Sequence, residues 1–386
     1  MSRTDERDLL DAISWISAFM VFWGHAWAAL FAHEPTLISR LLWMLADTRH
    51  EWVVIFFVLS GYLVAGKALV RADSFNLWSY ALARITRIYI VLIPALILTA
   101  ALDGLAYRMD PTSPVHAGLW ADQLFGGTPP FANYDLSHIA ASVLSLEPFV
   151  GSAAMGSNGP LWSLGFEWIF YICFPVLLLA ADALGRRTGG RLWLARGLIL
   201  AVSIALLGWR HMPYAALLWL IWVGGGVAHI LARTGRWPAF ARWIGLVIGV
   251  VGFVLLPRIG YRFADALIGF GLISFLARYP RDERGLWRPL DETLASASYS
   301  LYVTHLPVVA FLCLVFIRLG WLHAGGERLG LDSLGMLAGL AATAFAVSAA
   351  FSALFEHNTD RLRRRLSGAG RGSLRRNDPE QARETQ

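Results

Sequence analysis

Three ionisable side chains stand inside long apolar runs: His25 at the end of Asp11-Ala12-Ile13-Ser14-Trp15-Ile16-Ser17-Ala18-Phe19-Met20-Val21-Phe22-Trp23-Gly24-His25, Glu167 in Leu161-Trp162-Ser163-Leu164-Gly165-Phe166-Glu167, and His305 in Ser298-Tyr299-Ser300-Leu301-Tyr302-Val303-Thr304-His305. Such groups are costly at membrane depth unless partnered, so each is a candidate for function. At 3.6 residues per turn Asp11, Ser14, Ser17, Val21 and His25 share one helix face, a sparse polar stripe that must meet protein rather than lipid. The rise from Asp11 to His25 is roughly 21 Å, which sets them toward opposite sides of a hydrocarbon core about 30 Å thick. An imidazole there can act as a general base, and a carboxylate at the same depth can orient it. Glu167 lies roughly 9 Å into a helix for which Asn158 is the predicted cap and Pro160 a first-turn residue, a depth matching that of His25. The spacing therefore predicts a His25–Glu167 pair as base and orienter. His305, two residues before Pro307, reads as a buried, hydrogen-bonded structural histidine on a helix that the proline kinks.

A second group of residues suits an anionic ligand. Lys67 and Arg71 are spaced i, i+4 and Arg84 and Arg87 i, i+3 on either side of a short connection, so two cationic pairs face one another. Planar guanidinium groups favour bidentate phosphate contacts, although loops on the cytoplasmic side carry arginine for topological reasons alone. Ser60, Gly61 and Gly66 interrupt the aromatic-rich helix Glu51–Lys67 and permit close approach of either a ligand chain or another helix.

The elements that must position these residues are membrane helices. Of 386 residues 56% are hydrophobic and only 16% charged, and the mean hydropathy is +0.53, which excludes an ordinary soluble globule. Apolar runs at 9–31, 51–70, 85–102, 161–184, 192–208, 213–232, 243–257, 263–278, 297–319 and 331–355 predict an all-α bundle of about ten spans. The first is read as a retained helix, not a cleaved signal, because it follows the mixed-charge leader Arg3-Thr4-Asp5-Glu6-Arg7-Asp8. Arginines concentrate in alternate connections, among them Arg84 and Arg87, Arg191 and Arg196, Arg233 and Arg236, and Arg281 and Arg284, which predicts both termini on the cytoplasmic side. Residues 1–366 are then one membrane domain, with a long extracytoplasmic connection over 103–160 that holds a short interfacial helix near His138–Leu146 and covers an outward-facing site. The polar stretch 367–386 is a predicted disordered tail. Cys173 and Cys313 lie inside apolar runs and form no predicted disulfide, and no histidine–cysteine spacing suggests a metal.

In order along the chain, Asp11 with His25, the block Phe56-Phe57-Val58-Leu59-Ser60-Gly61-Tyr62-Leu63, Arg84-x-x-Arg87-Ile88, Trp162-Ser163-Leu164-x-x-Glu167 with Phe170-Tyr171 and Phe174-Pro175, Ser298-Tyr299-Ser300-Leu301-Tyr302 with His305 and Pro307, and Phe355-Glu356 are together similar to acyltransferase family 3. These are integral-membrane O-acyltransferases that modify extracytoplasmic glycans. The resemblance implies a bacterial-type plasma-membrane enzyme that uses acyl-coenzyme A, foremost acetyl-coenzyme A, and needs no metal. It implies catalytic roles for His25 and Glu167, a donor path along Ser14, Ser60, Gly61, Lys67, Arg71, Arg84 and Arg87, and an acceptor pocket at Asn158, Trp162, Ser163, Tyr171, Tyr302 and His305. The donor carries about four negative charges, counting up to two on its monophosphate, which fits a basic mouth on the cytoplasmic side. The family has an arginine eleven positions before its first-helix histidine where this chain has Ser14. Either another cation takes its part, with Lys67, Arg84 and Arg87 the candidates, or donor use differs. Direct transfer and a covalent relay through histidine both fit these residues. So do two other classes: a carrier of a lipid-linked sugar or anion, and a non-catalytic relative that binds donor or glycan.

Overall fold

The computed structural model describes residues 5–32, 36–120, 124–125, 129–187, 213–278, 288–359 and 361–367. Its helices of eight or more residues are α1 (Asp5–Leu30), α2 (Leu37–Asp47), α3 (Arg49–Val70), α4 (Leu77–Met109), α5 (Leu136–Leu144), α6 (Trp162–Arg187), α7 (Pro213–Thr234), α8 (Ala239–Ile259), α9 (Tyr261–Leu276), α10 (Arg288–Arg318) and α11 (Leu331–Leu354). Among the described residues seven helical stretches are long and apolar enough to cross a membrane. They account for seven of the ten predicted runs. The run 192–208 and the tail from residue 368 lie outside the described residues, as do Arg191, Arg196, Arg281 and Arg284, on which part of the orientation rested. The runs 243–257 and 263–278 become α8 and α9, which pack on each other. The apolar part of α8 is only Ala239–Leu255 and α9 has 16 residues, shorter than the roughly 20 residues a perpendicular span needs.

One helix escaped the sequence reading. α2 starts where Thr36 Oγ1 accepts from the Ser39 N–H at 3.2 Å. It buries Trp43 and Ala46 and exposes Leu37, Ile38, Leu41, Met44 and Leu45. It leads straight into α3, so the apolar stretch begins at Leu37 rather than at residue 51.

Two cores hold the bundle. One gathers apolar faces of α3, α4, α6 and α7 around Trp219 and Trp222, whose rings stack at 5.5 Å. The other joins α1, α10 and α11 through Phe22, Trp27, Leu306 and Val309. α3 and α7 approach so closely that a Cβ on Gly61 would stand 1.7 Å from the Trp222 carbonyl oxygen, and one on Gly225 2.3 Å from that of Val58. Gly61 thus serves helix packing, which corrects its assignment to the donor path.

α10 carries Pro307, which has no N–H to offer the carbonyl four residues earlier. That carbonyl, Val303 O, instead accepts from Asn158 Nδ2 at 2.9 Å, while the same amide nitrogen reaches Thr99 Oγ1 at 3.1 Å. Asn158 is fully buried and makes no side-chain cap. Its predicted capping and pocket roles give way to the repair of a proline defect, tying α4 and α10 to the start of α6.

The long connection begins later than predicted, because α4 continues to Met109. Asp103 near its end accepts from Tyr134 OH at 2.7 Å, Ser157 N at 2.9 Å and Ser157 Oγ at 2.7 Å, pinning the connection at two places. The interfacial helix expected at His138–Leu146 is α5, capped by Asp135 through the Ser137 and His138 N–H groups.

Candidate active site

Three cavities lie in series through the bundle. The first, about 490 Å³, is lined by residues from the ends of α1 and α2, the start of α3 and the segment entering α6, with Tyr214 of α7, Arg262 of α9 and Tyr302 of α10: His25, Asp47, Arg49, His50, Gly159, Pro160 and Trp162 are among them. The second, about 210 Å³, is lined by Ser14, Ser60, Arg84, Arg87, Ser163, Glu167, Tyr171, Ser298 and Tyr302. The third, about 830 Å³, lies at the amino-terminal end of α1 and is lined by Asp11, Ser14, Lys67, Arg84, Arg87, Glu356 and Arg363. Val53 and Tyr302 belong to the walls of both the first and the second cavity. Ser14, Arg84, Arg87 and Ser298 are shared by the second and third.

His25 lines the first cavity, and its Nδ1 lies 3.1 Å from Nε2 of His305. The other ring nitrogen of His305 bonds the carbonyls of Leu301 (3.0 Å) and Tyr302 (2.8 Å) on its own helix. The predicted His25–Glu167 pair is therefore not what the fold makes. Glu167 Oε1 accepts from Ser60 Oγ at 2.6 Å and from Tyr171 OH, and it belongs to the second cavity. Trp222 Nε1 donates to Ser60 at 3.0 Å, completing the network. His25 and Glu167 therefore line successive cavities of the series rather than one site.

The other expected site residues divide. Tyr302 donates to Pro160 O at 2.8 Å and meets Ser163 Oγ at 2.6 Å, standing between the first two cavities. Trp162 stacks on His50, centroids 5.3 Å apart. Ser14 meets Ser298 across α1 and α10 at 3.1 Å. Arg84 lies over the Tyr171 ring at 5.5 Å, with its Nε buried and lacking a hydrogen-bond partner among the described residues. Arg87 pairs with the buried carboxylate of Glu356 at 2.5 Å, which also accepts from Ser300 Oγ at 2.8 Å. Lys67 lines only the third cavity, whereas Arg71 is exposed at the end of α3 and is absent from the walls of all three.

The sequence reading missed a polar cluster on the far wall of the first cavity. Asp265, fully buried, accepts from Tyr214 OH at 2.9 Å and faces His50 Nε2 at 3.2 Å. His50 Nε2 is also 2.6 Å from the Tyr214 hydroxyl. Since the carboxylate only accepts, Tyr214 donates to Asp265 and accepts from His50. The available signal was a histidine followed by a glutamate at the mouth of an apolar run, together with Asp265 inside another, which reads equally as ordinary helix-end polarity.

The acyltransferase domain family matches residues 8–354. Nodulation protein 10 of Rhizobium leguminosarum bv. viciae is 30% identical over 180 residues, 45% of this chain and 44% of that protein. The O-acetyl transferase of Shigella phage Sf6 is 27% identical over 220 residues, 54% of this chain and 56% of that protein. The chain thus spans about half the length of the curated relatives it matches. No solved structure matches it. With the family match running from the start of α1 to the end of α11, and with membrane-length helices throughout, the chain belongs to acyltransferase family 3.

Proposed function

We propose that this protein is a plasma-membrane O-acyltransferase that moves an acyl group, foremost acetyl, from coenzyme A on the cytoplasmic side to a hydroxyl of a surface or secreted glycan outside. The observation that carries this reading is the series of three adjoining cavities, cationic at one end and bearing an imidazole at the other. Both termini are cytoplasmic in this reading, so the third cavity faces the acyl donor and the first faces the acceptor.

Lys67, Arg84 and Arg87 supply positive charge where the polyanionic end of the donor enters. Ser14, at the position of the family arginine, lines the same cavities as Arg84 and Arg87, and these two stand in for the missing cation. The thioester arm extends through the second cavity past Ser60 and Tyr171, toward the seam at Val53 and Tyr302. The acceptor hydroxyl occupies the first cavity. His25 removes its proton as the oxygen bonds to the thioester carbonyl carbon; the carbon–sulfur bond then breaks and the leaving thiolate recovers that proton from the imidazolium. Glu167 holds Ser60 and Tyr171 in place along the arm rather than orienting the base.

Membranes containing His25→Gln should lose at least about 100-fold in acyl transfer from acetyl-coenzyme A to glycan, the usual range for a removed general base. Wild-type turnover by this variant at normal expression removes the proposal. Mass spectrometry of the surface polysaccharide, with and without the chain, reads the same outcome in cells.

A further inference from the structure

We infer that His305 is the positioning residue that fixes the tautomer of His25, so that the nitrogen turned away from α10 is a bare, basic Nε2. The inference rests on the proposed role of His25 as base and follows from what each neighbour can donate or accept. Backbone carbonyls only accept, so His305 Nδ1, held between those of Leu301 and Tyr302 at 3.0 and 2.8 Å, carries a hydrogen in every charge state. A single proton then lies between His305 Nε2 and His25 Nδ1, 3.1 Å apart. If it sat on His305, that ring would be an imidazolium, fully buried and without a carboxylate in ion-pair range among the described residues. Burying an unpaired ion costs several kcal/mol, whereas the neutral arrangement costs nothing comparable. The proton therefore sits on His25 Nδ1, where His305 Nε2 accepts it and where the Val21 carbonyl one turn earlier on α1, which bonds this ring and can only accept, favours it as well; His25 Nε2 has its lone pair free.

The arrangement does with a neutral ring what a carboxylate does behind the histidine of a hydrolase triad: it selects the tautomer and the ring plane. It differs in one respect. The carbonyls hold the Nδ1 proton of His305 in place, so the pair is no wire for carrying a proton onward. A proton taken up by His25 Nε2 stays on that atom until the leaving group collects it from the same side.

The test uses the full chain in lipid nanodiscs with acetyl-coenzyme A and glycan acceptor. His305→Leu should lower kcat by about 100-fold with little change in KM for the donor, while His305→Gln, whose side-chain carbonyl can accept from His25 Nδ1, should stay within about tenfold of wild type. A merely space-filling role predicts no such rescue. Nitrogen NMR of ring-labelled histidine reads the tautomer without any turnover: His25 should show a pyridine-type Nε2 resonance, assigned by its loss in His25→Gln. A pyrrole-type Nε2 on His25, or His305→Leu with wild-type kcat, overturns the inference. Unimpaired transfer by His25→Gln would instead remove the acyl-transfer role of His25 and leave the tautomer to be decided by the resonance.

Discussion

Glu147 shows how far a single side chain can depart from its ordinary chemistry in this fold. It lies in the long connection outside the spanning helices and is almost fully buried, which raises its pKa from 4.5 to about 7. The unfolded carboxyl releases its proton near 4.5 while the folded one keeps it until about 7. The protonated form's contribution is therefore complete below the lower value, declines as pH rises between the two, and is gone above the upper one. Glu147→Gln, which never ionises, should stabilise the protein by up to about 3 kcal/mol at pH 8 and by almost nothing at pH 4. Thermal melting in detergent at the two pH values checks this. At the same scale, the sequence singled out His25 because an ionisable side chain on the polar stripe of a membrane helix is costly without a partner, and the fold places it on a cavity wall beside another imidazole. Its partner was not legible: His305 is 280 positions away, and only the packing of α1 on α10 brings the rings together.

Between elements, the sequence marked the helices by apolar length, but it did not show which faces meet. Gly61 is the clearest case, since a small residue admits a ligand or a neighbour equally well, and Trp222 decided between them. Asn158 is similar. Read alone, an asparagine before Gly-Pro is a cap; beside α10 it is the only side chain among those described that serves the Val303 carbonyl orphaned by Pro307. Asn158→Ala should therefore destabilise the bundle by about 1–3 kcal/mol, the cost of a buried acceptor left unmet. In a Pro307→Ala background, where a helical N–H can return to that carbonyl, the same change should cost measurably less, and a double-mutant cycle on melting temperatures measures the coupling. Glu167 belongs here too: counting turns along its helix suggested His25 as its partner, and the packing of the helices gave it Ser60 and Tyr171 instead.

At the scale of the whole molecule, charge is distributed along the series of cavities rather than around a single centre. Arg87 is the place where this distribution touches the fold itself, because its guanidinium joins α4 to Glu356, just after the last long helix. If the third cavity admits the donor as proposed, its polyanionic end competes with Glu356 for that guanidinium. Capturing it leaves a buried carboxylate with Ser300 as its remaining donor among the described contacts. Occupancy and anchorage of the C-terminal segment are therefore thermodynamically linked, each weakening the other by the same free energy. Coenzyme A should accelerate amide hydrogen exchange around residues 355–359, and Glu356→Gln should bind it more tightly than wild type. The mouth of this protein would then work as a counter-ion exchanger, in which the segment around Glu356 is loosened each time a donor is loaded.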